Sequence, residues 1–199
     1  MAVSETPHAL TTDLAVVVGR LRAITVALRS AGPARGAGVI WRANGLVVTS
    51  AHVVASAHRA RVGALVVLPD GRGRTAALVA WDRHLDVAVL RIEASDLPAA
   101  TMGDPDRLRP GELVLAVGHP FGLPGAVVTG VVHAAPARGR RGGRSWIQAD
   151  LRLAPGNSGG PMADASGRVI GVNTMIAGGL ALAVPSHVVE TFVMRSVGP

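Results

Sequence analysis

The sequence has no cysteine, no lysine and no tyrosine, and only 3% of its 199 residues are aromatic. Without cysteine there is no disulfide framework, no thiolate nucleophile and no cysteine-based zinc site, and thiols carry no information about redox compartment. With Phe confined to Phe121 and Phe192, there is no interleaved aromatic platform for stacking single-stranded nucleic acid. Long apolar runs are missing too. No stretch approaches the roughly 20 residues needed to span a bilayer. The N-terminal apolar run, Leu14 to Val18, is too short for a signal-peptide core and has no basic start before it. The expected location is therefore cytoplasmic, with periplasmic or extracellular as the alternative if the N-terminus is truncated.

Hydrophobic residues nevertheless make up 49% of the chain, so the core has to be built from Val, Leu, Ile and Ala, a composition that favours strands. The 25 Gly and 13 Pro are spread along the chain, as expected for many short elements joined by tight turns. The net charge of +7 is carried by Arg, most densely at Arg138, Arg140, Arg141 and Arg144. That cluster lies among glycines and reads as a solvated loop, while leaving an anionic partner as a minor alternative.

Residues 1–9 read as disordered. After them, Thr12 or Asp13 is placed to cap a short helix over Leu14–Leu21. Ile24, Val26 and Leu28 then alternate with more polar residues, the two-residue repeat of a half-buried strand. Further strands are expected at Gly38–Trp41, Leu46–Thr49, Ala64–Leu68, Thr75–Trp81, Val87–Ile92, Leu113–Val117, Val127–Ala134, Ser145–Ala149, Val169–Met175 and Leu180–Val184. Turn signals such as Asn44-Gly45, Asp70-Gly71 and Ser166-Gly167 separate them. The longer connection between Ile92 and Leu113 divides the strands into two sets of similar size, as a linker between two β-barrels would. The expected organisation is an N-terminal segment (1–35) with a short helix and the first strand, a first barrel (36–105), a second barrel (106–185) and a C-terminal helix (186–199). Apolar Val188, Val189, Phe192 and Val193 suit that helix.

Three segments join a reactive side chain to rigid surroundings: Thr49-Ser50-Ala51-His52-Val53-Val54, Leu85-Asp86-Val87-Ala88-Val89-Leu90 and Pro155-Gly156-Asn157-Ser158-Gly159-Gly160-Pro161. Glycines close to Ser158 permit a sharp turn that exposes its hydroxyl and gathers backbone N–H groups, from Gly156, Asn157 and Ser158, into an oxyanion hole. A serine hydroxyl needs a base to accept its proton, and imidazole has the suitable pKa; His52 lies just past a strand end. The base needs a carboxylate on its other ring nitrogen, and Asp86 enters an apolar strand where a lone carboxylate would be costly. Asp82 and Asp150 are alternative carboxylates, Asp150 suiting a structural hydrogen bond near the nucleophile loop.

The order His, Asp, Ser and the motifs TSAHVV, LDVAVL and PGNSGGP resemble the HtrA/Deg serine proteases, a branch of the trypsin-like fold. GAGVIW, LPDGR, VLAVGHPFGL, GRVIGVNT and ALAVPS extend the similarity over about three quarters of the chain. The resemblance implies an all-β protein of two perpendicular six-stranded barrels, with His52 and Asp86 from the first and Ser158 from the second. It also implies an endopeptidase that cuts unfolded or damaged polypeptides after small or medium aliphatic residues. The substrate pocket is expected at Leu153 and at Leu180, Ala181 and Leu182, with Arg152 pointing away. No PDZ module is expected after the terminal helix. Relatives trimerise through N-terminal aromatic residues, and none precedes Trp41 here, so a homo-oligomer is an open expectation.

No cofactor is implied. His58, His84, His119, His133 and His187 lack metal-site spacing, so no metal is expected. His119 lies in a loop that relatives use near the active site, and a positioning role and a plain turn role fit it equally. The competing functions are a protease-fold chaperone or binding protein held at rest, and an anion-binding module using Arg138–Arg144.

Overall fold

The computed structural model describes residues 6–29, 35–60, 63–135 and 146–198; Arg138, Arg140, Arg141, Arg144 and Ser145 lie outside them. Among the described residues, twelve strands form two closed six-stranded antiparallel barrels, accompanied by three helices. The first barrel contains β1 (Thr25–Arg29), β2 (Arg35–Arg42), β3 (Leu46–Thr49), β4 (Ala64–Val67), β5 (Gly73–Asp82) and β6 (Val87–Arg91). The second contains β7 (Leu113–Gly118), β8 (Ala126–Ala134), β9 (Ile147–Asp150), β10 (Pro161–Asp164), β11 (Val169–Ala177) and β12 (Leu180–Pro185).

β1 pairs with both β2 and β4 and so closes the first barrel. That barrel therefore starts at Thr25, ahead of the expected boundary at residue 36. Helix α1 (Thr6–Ala23) is longer than the expected Leu14–Leu21. It starts one residue before Pro7, whose fixed φ suits a first turn. Thr12 and Asp13 lie inside it and past its start, and its first turn replaces part of the expected disorder. Val17 and Leu21 bury one face against the space between the barrels. Thr25 Oγ1 donates to the Leu21 carbonyl at 2.7 Å where the chain turns from helix to strand.

Two elements are additions to the sequence expectation. β10 is four residues long and begins with proline, too short for a period to register. Helix α2 (Ala51–Ala60) follows β3 directly and buries Val53, Val54 and Ala57. Helix α3 (Ser186–Val197) ends the described chain.

Successive residues of the central strands face different cores. In β3, Val47 packs inside the first barrel and Val48 between the barrels; in β6, Ala88 and Leu90 face inward and Val87 and Val89 outward. Both faces are dry, which is why these strands read as unbroken apolar runs. The second barrel has its own interior around Val114, Ile147, Met162 and Ile170. Four further hydrogen bonds fasten the halves together. Trp41 Nε1 donates to Glu190 of α3 at 2.6 Å, with Arg42 pairing to the same carboxylate. The linker donates Ala100 N–H to the Ile40 carbonyl at 2.9 Å, and its Thr101 carbonyl accepts from Val169 N–H at 2.8 Å.

Candidate active site

β3 pairs with β6 through Thr49 and Ala88, so the residues just beyond the end of one strand and just before the other are neighbours. His52 is the second residue of α2, and Asp86 immediately precedes β6. Asp86 adopts φ 56°, a left-handed conformation that Asp tolerates better than most residues. Its carboxylate turns back onto the helix start: Oδ1 accepts the His52 backbone N–H at 3.0 Å and Oδ2 accepts from His52 Nδ1 at 2.8 Å. An anion at a helix N-terminus is favoured by the unpaired amides there. Because Nδ1 carries the proton in that bond, Nε2 is left as the basic nitrogen.

Thr174, a residue the sequence did not single out, completes this arrangement. Its Oγ1 donates to Asp86 Oδ2, and its carbonyl accepts from Ser158 Oγ at 3.1 Å. Asp86 is 7% exposed. Burial alone would raise its carboxyl pKa, but the hydrogen bonds from His52 and Thr174 outweigh it and hold the group below the ordinary carboxylate value. Asp86 is thus a stable anion against the imidazole. Asp82 instead accepts the backbone N–H groups of His84 and Leu85 within its own turn. Asp150 is exposed and makes no side-chain hydrogen bond among the described residues, contrary to the structural role expected of it.

Ser158 lies between β9 and β10, and its carbonyl accepts Ala37 N–H from the first barrel at 2.8 Å. Among the described residues no hydrogen bond joins Ser158 to His52; the hydroxyl is turned to Thr174. The two residues nevertheless line one cleft of ≈ 360 Å³.

Ala154-Pro155-Gly156-Asn157 is a β-turn closed by Asn157 N–H donating to the Ala154 carbonyl at 3.0 Å. Pro155 at the second position excludes the mirror-image turns, and φ 111° at Gly156 excludes type I, which leaves type II. The expected set of oxyanion donors needs correction here. Asn157 N–H is spent inside the turn, whereas the N–H groups of Gly156 and Ser158 have no acceptor among the described residues. A Cβ at Gly156 would lie 2.4 Å from the His119 carbonyl oxygen, so the turn admits only glycine there.

The pocket expectation is half corrected. Leu153 lines the cleft, but Leu180, Ala181 and Leu182 do not. Ala181 and Leu182 are buried one strand further back, paired with Ile176 and Met175 respectively. The cleft wall is instead formed by Thr174, Met175 and Ile176 of β11. A signal for them was available: an apolar pair continuing past Thr174 toward a Gly-Gly turn, at a strand end that stays 44% and 52% exposed. Arg152 is exposed and does not line the cleft. His119 sits under the turn: its backbone N–H donates to the Gly156 carbonyl at 3.0 Å. His58 packs tilted against Trp81, with ring centroids 4.2 Å apart. Among the described residues no group of His, Asp and Glu is clustered to hold a metal.

Two closed six-stranded barrels, with a His–Asp pair and a serine beside unpaired amides in the groove, define the class of trypsin-like peptidases. The chain belongs to the trypsin-like peptidase domain family, whose sequence model matches residues 36–172, and to its HtrA/Deg branch. It is 37% identical over 175 residues to "Serine protease HTRA1" of Xenopus laevis, covering 84% of this chain and 37% of the relative. It is 40% identical over 163 residues to "Probable periplasmic serine endoprotease DegP-like" of Chlamydia trachomatis, covering 76% of this chain and 31% of the relative. Among solved structures, "HtrA-type protease AlgW with tripeptide" superposes with a TM-score of 0.82 at 35% identity, covering 93% of this chain and 63% of that one. The chain thus spans about a third of the length of these curated relatives. No described helix is long and apolar enough to cross a membrane.

Proposed function

We propose that this chain carries the endopeptidase activity of an HtrA-type protein, acting through an acyl-enzyme with Ser158 as nucleophile, His52 as general base and Asp86 as its orienting carboxylate. The observation that carries this reading is the doubly bonded His52–Asp86 pair facing the same cleft as Ser158 and the unpaired Gly156 amide. Ser158 Oγ leaves the Thr174 carbonyl, turns to His52 Nε2, gives up its proton there and bonds to the substrate carbonyl carbon. The oxyanion accepts from the Gly156 and Ser158 amides. Collapse breaks the C–N bond as His52 returns the proton to the leaving amine. Water then repeats the sequence, frees the acid and restores Ser158.

A polypeptide fits the cleft because, among the described residues, β10 covers one edge of β11 only from Val169 to Val172, leaving Met175–Ala177 open on that side for an extended chain to pair with. Leu153, Met175 and Ile176 give apolar walls suited to a small or medium aliphatic side chain. Unfolded chains supply such segments. Relatives named periplasmic support the periplasmic alternative over the cytoplasmic one.

The test is labelling with a fluorophosphonate read by intact mass, together with casein cleavage, in wild type and Ser158→Ala. Labelling at Ser158 with cleavage lost in the mutant is expected, and identical behaviour of the two proteins would remove the reading. One observation favours a second reading, a resting state that binds unfolded chains: Ser158 is bonded to Thr174 and not to His52. Suppressed aggregation without cleavage by wild type would select it.

A further inference from the structure

The last turn of α1 is connected to the oxyanion turn by an unbroken series of hydrogen bonds. Arg22 Nε donates to the carbonyl of Gly125 at 2.7 Å, 103 residues away in sequence. Gly125 N–H donates to His119 Nδ1 at 3.2 Å, and His119 N–H donates to the Gly156 carbonyl at 3.0 Å. In parallel, Phe121 N–H donates to the Pro155 carbonyl at 3.4 Å. The loop between β7 and β8 therefore holds both carbonyls at the centre of the type II turn.

Gly156 lines the cleft, and its N–H has no acceptor among the described residues. Type II and type I turns differ by a flip of the central peptide, here Pro155–Gly156, which reverses the direction of the Gly156 N–H. A flip also tears the Pro155 carbonyl from Phe121. The loop opposes the flip as long as it is itself held, and its far end is held by Arg22. Gly125 is buried with φ 62°, and a Cβ there would lie 3.2 Å from both Cγ and Nε of Arg22, so the arginine lies flat on the glycine. No carboxylate pairs with Arg22 among the described residues. Its cation is committed to a backbone carbonyl, a charge-assisted bond. Val17 and Leu21, packed between the barrels, fix where α1 presents it.

We infer that Arg22 is a positioning residue for the oxyanion turn, acting through Gly125 and His119, so that the N-terminal helix governs the competence of a site built on the second barrel. The inference rests on the proteolytic reading above for its effect on rate, but not for its effect on the loops.

The experiment compares wild type, Arg22→Ala, Arg22→Lys, His119→Ala and the Arg22→Ala/His119→Ala double variant. Each is followed by hydrogen exchange of the peptides covering 119–125 and 153–158, by kcat and KM on a peptide with an aliphatic residue before the scissile bond, and by Tm. Arg22→Ala is expected to speed exchange in both peptides and to lower kcat about 3- to 10-fold, with KM within about twofold, the size of one charge-assisted hydrogen bond at a partly exposed site. Lysine, which can still donate to the Gly125 carbonyl, should restore most of both. The double variant should be no worse than the worse single variant, because both act along one path. Unchanged exchange in 153–158 overturns the inference whatever the activity, as does a fall in Tm with kcat intact or multiplicative losses in the double variant. If wild type neither labels nor cleaves, yet Arg22→Ala still speeds exchange in both peptides, the proteolytic reading alone is overturned.

Discussion

Thr174 donates its hydroxyl to Asp86 and, through its carbonyl, holds the hydroxyl of Ser158 at 3.1 Å, so one residue contacts two of the three side chains assigned to the chemistry. Thr174→Val separates these roles, because it removes the hydroxyl and keeps the shape and the carbonyl. Asp86 then loses one of the bonds that lower its pKa. The fall in urea-unfolding stability at pH below 3.8 should become smaller, because the folded pKa of Asp86 moves back toward its ordinary value, and kcat should fall about tenfold, the cost of one hydrogen bond to a charged group. A pH dependence of stability identical to wild type would show that Asp86 does not depend on Thr174.

Asp86→Asn should leave the cleft in place while reversing the hydrogen-bond polarity to His52 Nδ1. A loss of about 10⁴ in kcat is expected, from the wrong imidazole tautomer. Stability carries a second signature. The folded pKa of Asp86 lies below its ordinary 3.8, so the unfolded chain binds the proton first as pH falls. The stabilisation is complete above that ordinary value and disappears as pH drops through the folded one. Urea unfolding of wild type and Asp86→Asn as a function of pH should show the difference shrinking in that window.

His119 gives the same sign at higher pH. Burial lowers its pKa, with the Val26 carbonyl pulling weakly the other way, so the folded protein holds the ring neutral while the unfolded chain takes up a proton near the ordinary 6.5. Its contribution is full above that value and is lost as pH falls toward the folded pKa. Replacing His119 with Asn should therefore flatten the change in urea midpoint between pH 7.5 and 5.5, values set about one unit either side of the ordinary pKa. An equally steep change in the variant would rule out His119 as its source.

The cleft wall can be told apart from the strand behind it. Leu153→Ala should shift preference toward larger aliphatic residues, by about tenfold in relative kcat/KM, with a modest effect on folding. Leu182→Ala removes a side chain that is 9% exposed and lies outside the cleft. It should cost about 2–4 kcal/mol of stability and leave the preference unchanged. A peptide library profiled with both variants decides between the two roles.

Much of this arrangement is legible in the sequence. Alternation, unbroken apolar runs and turn pairs mark eleven strands, because the central strands are buried on both faces and outer strands such as β4 on one. The motifs around His52, Asp86 and Ser158 named the three side chains that share the cleft or its hydrogen bonds. What escaped notice depends on direction and not on composition. Whether the Asn157 amide points into the cleft or back into its own turn is decided by one peptide orientation. Whether Leu182 or Met175 meets a ligand is decided by which of two adjacent strands lies in front. Helix α2 was missed because Val53, Val54 and Ala57 sit in a short alanine-rich stretch that continues the apolar run of β3. Thr174 escaped because neither its bond to Asp86 nor its carbonyl contact leaves a mark in its neighbours.

The bond from Ala37 N–H to the Ser158 carbonyl means that a piece of the backbone of Ser158 is supported by the opposite barrel. With Val48 and Val89 meeting Leu115 and Val117 in one shared dry layer, neither half can complete the groove unaided. Two polypeptides divided within the connection after Ile92 should each be silent toward a serine-directed probe, and mixing them should restore labelling, so that covalent capture at Ser158 becomes a readout of reassembly.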